Sequence, residues 1–317
     1  MNRIHWVVCG LVCLSLWWWG QLTNLQAGER SSKTYLIIHA DDAGMCHAEN
    51  LGTIEAMEKG LVSSASIMVP CPWFLEIAEY ARTHPDKDFG VHLTLNCEWK
   101  RYRWGPVAPK DQVSSLVDEQ GYLWSNVQEV VKHAKKEEVR QELEAQVERA
   151  LKFGVRVSHL DTHMGAVISR PDLLQVYVGL ARKYHIPILF VRQLSEEQAN
   201  EYGALAEHIQ KLAAELQAQH LPVLDSVIQF YGGKGHEQRR ENYLKAIRAL
   251  KPGFHQLIVH CAVDCDELRA ITNSASRRDS DRRIFTDPEV MKQIQATGVQ
   301  IISWKELSRI QAASRQP

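Results

Sequence analysis

From residue 35 onward, short apolar runs alternate with amphipathic stretches, and that rhythm leaves few folds open. Tyr35–Ile38, Val62–Val69, Phe89–Asn96, Val155–Met164, Ile186–Val191, Leu224–Phe230, Gln256–Ala262 and Val299–Ser303 read as strands. Between them, helices are expected at Glu49–Lys59, Phe74–Thr83, Glu137–Phe153, Asp172–Tyr184, Glu196–His220, Arg239–Leu250, Asp287–Ala296 and Trp304–Ile310. In Glu137–Phe153 the apolar residues Val139, Leu143, Val147 and Leu151 line one face, and Gly154 closes the helix. Strands separated by helices pair in parallel through crossover connections. Seven or eight such strands predict an α/β, single-domain (β/α) barrel-like fold with mainly parallel strands.

Two stretches fall outside the rhythm. Residues 98–134, with Gly105-Pro106 and the turn at Asp118–Gly121, read as an insertion with a small hairpin, placed directly after the strand that carries His92. Residues 1–28 hold an apolar stretch from Trp6 to Trp19, followed by Ala27-Gly28 as a cleavage point. This predicts a signal peptide or N-terminal anchor. The stretch is short of the ~20 residues that span a bilayer. Export to the periplasm or the outside is therefore expected, with membrane anchoring at the N-terminus as the variant, and residues 33–311 as the folded domain. The chain of 317 residues has a net charge of −1 and shows no basic stripe, which speaks against nucleic-acid binding. A homodimer is compatible with the sequence. Past residue 28 the cysteines are Cys46, Cys71, Cys97, Cys261 and Cys265, an odd set that cannot all pair within the chain.

The chemistry-bearing residues gather in strands or at their ends. Asp41 and Asp42 follow the first apolar run; adjacent acids there must be desolvated together and repel each other, and a bound cation offsets both costs. A polar turn is the plain alternative. His92 lies in the third strand, His159, Asp161 and His163 in the fourth, Arg192 ends the fifth, and His260 lies in the seventh. In a β/α barrel the C-terminal strand ends share one face. His159, Asp161 and His163 alternate, so a strand points all three to one side. Two imidazoles and a carboxylate suit a divalent metal with open positions. The sequence contains no HExxH, GxGxxG or GxxxxGK[ST] pattern, which argues against nucleotide cofactors.

The segments HADDAG, GVHLTLN, HLDTH and IVHCA, in this order, resemble the YdjC/ChbG family of carbohydrate deacetylases. The resemblance implies a barrel-like fold and a metal-dependent hydrolase that removes acetyl groups from N-acetylated sugars or oligosaccharides. It implies Asp42, His92 and His163 as ligands of a divalent ion (Mg²⁺ or Zn²⁺), Asp41 as catalytic base and His260 as proton donor. Met164-Gly165 stand where relatives often continue a histidine run, and Cys261 stands where they often have proline. Arg192 and Asp161 are the candidate substrate-side residues. Asp161 can equally orient a ligand imidazole or pair with an arginine, and Arg192 can pair with an acid.

Three rival readings remain. A non-haem iron oxygenase is suggested by His159-x-Asp161 with a distant His260, but such sites usually ride on all-β folds. A two-carboxylate glycosidase needs acids flanking a sugar bond across ~5 Å or more, which neighbours such as Asp41 and Asp42 do poorly. The third is a non-catalytic exported sugar-binding protein, against which the matched polar residues argue.

Overall fold

The computed structural model describes residues 32–313, apart from 193, 195, 197–198, 201–202, 204 and 234. The signal or anchor reading of residues 1–28 lies outside the described residues. The strands are β1 (Thr34–Ala43), β2 (Ser64–Ile67), β3 (Phe89–Leu93), β4 (Val157–Thr162), β5 (Ser226–Gln229), β6 (Gly253–Val259) and β7 (Gln300–Ile301). All ladders are parallel, in the order β4-β3-β2-β1-β6-β5. β7 pairs with the first part of β1 (Tyr35↔Gln300), below the part that pairs with β2 (His39↔Ser64).

The sheet curls into a barrel-like form without closing. Between β4 and β5, among the described residues, only single bridges, Leu160↔Ile188 and Val191↔Leu224, span the gap. Ile186–Val191 was expected as a full strand. Pro187 removes a ladder donor there, which limits continuous pairing.

Layering inside the curl follows from the alternation of β1. Leu36, Ile38 and Ala40 face the large core beneath the helices, whereas Tyr35 and Ile37 join a smaller inner cluster with Phe254, Trp304 and Leu307. Above that apolar floor the same inward face presents His39 and then Asp41, both buried. The interior thus changes from apolar to ionisable toward the C-terminal strand ends.

Helices cover the outside: α1 (His47–Lys59), α2 (Phe74–Thr83), α3 (Val127–His133), α4 (Lys136–Lys152), α5 (Pro171–Tyr184), α6 (Leu205–Ala218), α7 (Gly235–Arg248), α8 (Asp266–Ile271), α9 (Ala275–Thr286), α10 (Pro288–Gln295) and α11 (Trp304–Ala313). No helix among the described residues is long and apolar enough to cross a membrane. α8 and α9 occupy a stretch to which the sequence pattern assigned no element. The 98–134 insertion holds the expected turn, with Val117 bridged antiparallel to Leu123, and is tied to the chain just past β3 by Asn96↔Trp124.

Gly52 on α1 lies against the chain just after β6: a β-carbon there would fall 2.4 Å from Ala262 Cα and 2.5 Å from the Cys261 carbonyl oxygen. Backbone cannot yield as a flexible side chain can. Gly52→Ala is expected to cost about 1–3 kcal/mol, read as a lowered urea midpoint at unchanged slope.

Candidate metal centre

Consecutive residues of a strand point to opposite faces, so Asp41 and Asp42 would be separated in a regular strand. Asp42 has φ 68°, in the left-handed region, and the β1–β2 register is irregular between Ala40 and Ala43. That kink turns both acids toward the same place. A non-glycine residue held at positive φ is uncommon, although Asp tolerates it better than most.

His92 reaches the same place from β3, and His163 follows directly after β4. Asp42 Oδ1 lies 3.4 Å from His92 Nε2 and 3.3 Å from His163 Nδ1. It accepts no hydrogen bond from any described residue, although Asp42 is only 1% exposed. One donor atom from each of Asp42, His92 and His163 lies within 4.8 Å of the others. A buried carboxylate oxygen facing two imidazole nitrogens without bonding either is what a cation between them would satisfy.

The far side of each imidazole supports that reading. His92 Nδ1 lies 2.8 Å from Asp161 Oδ1, and His163 Nε2 lies 3.1 Å from Glu98 Oε2. Each ring can therefore donate its outer N–H to a carboxylate and turn its other nitrogen inward, the arrangement that fixes the tautomer of a ligating histidine. Glu98 is the first residue of the insertion and was not among the sequence candidates.

Beneath this layer, His39 Nε2 lies 3.0 Å from Asp161 Oδ2 and 3.3 Å from Asp41 Oδ1. Asp161 is 1% exposed, and its two oxygens face His39 and His92, which leaves it no opening to a bound molecule. His159 lies lower still, fully buried and stacked on Trp304 at 4.9 Å. The alternating His159, Asp161 and His163 thus occupy three depths, and only His163 joins the upper cluster.

Electrostatics divides the two aspartates. Burial pushes the Asp41 carboxyl up to about 7, against the pull of His92. Burial also acts to raise Asp42, but the Arg278 guanidinium together with His163 and His92 outweighs it and holds this carboxyl well below its usual range. Arg278, on α9, donates from Nη2 to Asp42 Oδ2 at 2.7 Å and from Nη1 to Glu49 Oε1 on α1 at 2.8 Å. Burial pushes Glu49 up to about 8, against the pull of the same guanidinium.

His260, just past β6, has Nε2 3.9 Å from Asp42 Oδ2. Burial, aided by Arg278 and Arg277, holds it well below the usual histidine range. Tyr231, 58% exposed, lies with its ring 6.1 Å from the His260 ring. Arg192 stands apart from this group, with Nη1 3.6 Å from Asp225 Oδ1.

The charges set a pH dependence. Burial acts to lower His163, but Glu98 and Asp42 outweigh it and raise it to about 9. At neutral pH the ion-free protein then carries a proton that an incoming cation must displace. Metal affinity is expected to rise with pH through neutrality toward about 9, with protons released on binding. Titration calorimetry in buffers of different ionisation enthalpy measures that release, and a pH-independent affinity would contradict it.

Comparison with known proteins follows the same lines. Residues 35–296 match the family model described as YdjC-like protein. A carbohydrate deacetylase of Thermoanaerobacter pseudethanolicus is 28% identical over 86% of this chain and 99% of its own length. One of Thermus thermophilus is 34% identical over 81% of this chain and 88% of its own. A crystal structure from Enterococcus faecalis V583, described as a candidate cellobiose-phosphate cleavage protein, superposes with a TM-score of 0.72 at 30% identity, over 87% of this chain and 99% of that one.

Proposed function

This chain belongs to the YdjC-like protein family, and from that premise we propose that it is a metal-dependent hydrolase removing acetyl groups from N-acetylated sugars or oligosaccharides. The observation that carries the reading is the unsatisfied Asp42 Oδ1 between His92 and His163, with Asp41 beside it. Asp42, His92 and His163 would hold a divalent ion, Mg²⁺ or Zn²⁺. When bound, such an ion polarises an amide carbonyl and acidifies water.

The protein's own groups do the rest. Asp41, more exposed than Asp42 and with Oδ1 unbonded, takes the proton of the attacking water. The raised position of its carboxyl matches a base working near neutrality. His39 approaches Asp41 from below and limits its rotation. Asp161 and Glu98 hold the two imidazoles in orientation. His260 starts neutral; negative charge developing on the amide oxygen favours its uptake of a proton from solvent, which it passes to the departing amine, while the proton taken by Asp41 returns to solvent. Arg192 is kept as a substrate-side residue only if the sugar extends toward Asp225.

The test is acetate release from a panel of N-acetylated glycans by purified protein, with and without chelator. Phosphorylated disaccharides belong in the panel because the Enterococcus relative is described by such a substrate. Acetate release abolished by chelator and restored by Mg²⁺ or Zn²⁺ is the expected result. Saturable glycan binding without acetate release would favour the sugar-binding alternative. We also propose export, directed by residues 1–28; recovery of the full-length protein only in the cytosolic fraction would refute it.

A further inference from the structure

Arg278 reaches the site from α9, an element packed on α1 outside the sheet. It is 4% exposed, and each of its guanidinium nitrogens has a side-chain partner: Asp42 Oδ2 at 2.7 Å, Glu49 Oε1 at 2.8 Å and, from Nε, Ser274 Oγ at 3.1 Å. The ring of Trp99, from the insertion, lies 6.0 Å from its central carbon. Three acceptors, on β1, on α1 and at the residue before α9, leave the planar fork one orientation. Of the Asp42 oxygens, Oδ2 is taken by Arg278, and Oδ1 faces His92 and His163 without a hydrogen bond.

We infer that Arg278 is a positioning residue for the metal: anchored by Glu49 and Ser274, its guanidinium occupies Asp42 Oδ2 and confines Asp42 to one-oxygen ligation through Oδ1. This rests on the reading of Asp42 as a metal ligand. The fork matters as well as the charge, because a lysine ammonium is a point charge that cannot bridge Asp42, Glu49 and Ser274 in one plane. A carboxylate bound through one oxygen leaves more of the ion's coordination shell for water and substrate. With both oxygens released, Asp42 can swing or bind through both.

The test compares wild type with Arg278→Lys, using Co²⁺ alone as probe. Calorimetry gives its affinity, and the visible absorption of bound Co²⁺ reports coordination number without any turnover. Arg278→Lys keeps the charge and is expected to bind Co²⁺ about 10–100-fold more weakly, the range seen when a ligand's outer partner is lost, with an altered absorption band. Glu49→Gln with Arg278→Gln removes the fork and its anchor together, and added Co²⁺ is then the counter-charge of Asp42; the same altered band is expected, and this pair carries the test if the lysine variant does not fold. Wild-type affinity and absorption in the folded variants would overturn the inference while leaving the metal site standing. Failure of the wild type to bind Co²⁺, Zn²⁺ or Mg²⁺ would overturn the metal reading itself, and this inference with it.

Discussion

Asp41→Asn is expected to keep its metal and lose about 10²–10⁴-fold in kcat, the span typical of a lost general base. The amide is nearly the same shape as the carboxylate but cannot take a proton. Asp41 lies beside the proposed ligands without joining them: its Oδ2 is 3.9 Å from His92 Nε2, and Oδ1 faces His39 at 3.3 Å. KM is expected to change little, since the lost interaction belongs to the transition state. The wild-type rate is expected to rise with pH as Asp41 deprotonates. Its midpoint lies near 7 or below, because burial raises the carboxyl to about 7 and a bound cation lowers it again. In Asp41→Asn that rising limb is expected to disappear. A variant with near-normal turnover would remove Asp41 from the role, and His39 would be the next group to test.

The second large effect is loss of the metal itself. Asp42→Asn, His92→Ala and His163→Ala each remove one of only three proposed protein ligands, so each is expected to lose most bound metal and activity together. Metal analysis of purified protein reads this directly. Asp42→Asn also leaves Arg278, 4% exposed, without its closest carboxylate. Glu49 still pairs with Arg278 at 2.8 Å, so the expected cost in stability is that of one lost charge-assisted hydrogen bond, about 1.5–3 kcal/mol. Full metal occupancy in His92→Ala and His163→Ala would sink the ligand assignment. Retention of metal by Asp42→Asn with its loss from Asp41→Asn would show that the two neighbouring acids exchange roles.

What could be read from sequence here depended on how locally each residue announces itself. Asp41, Asp42, His92, His163 and His260 are polar residues in or beside apolar runs, where burial makes them conspicuous. Glu98 opens a loop-like insertion and carried no such signal. Arg278 was hidden for a different reason. Its helix, α9, reads ASRRDSDRRIFT, as a solvated charged surface would. Yet Arg278, Ser280 and Asp281 are buried there, because their partners come from distant parts of the chain: Asp42 and Glu49 for Arg278, and Arg239 for Asp281. No periodicity reports a salt bridge between remote segments. Asp161 shows the complementary limit. Its inward direction was legible, whereas its depth depends on how β3 and β4 register, which pairs His92 with Asp161.

Asp42 and Arg278 are 236 positions apart in the chain. The central strand β1 is hydrogen-bonded along Thr34–Ala40 to β6, which is made from Gly253 onward. A nascent chain leaving the ribosome can pair the central strand with β2 early, but exposes its other edge long before β6 exists. Asp42, His92 and His163 are all made by residue 163, but the β6 ladder that holds β1 and the Arg278 fork that holds Asp42 come only after residue 252, so an ion met by an early fragment finds its ligands without the frame that fixes them. Contacts this remote also make assembly slow. Metal captured here would act late, by mass action on the finished molecule, and its uptake during refolding would mark the last step of assembly.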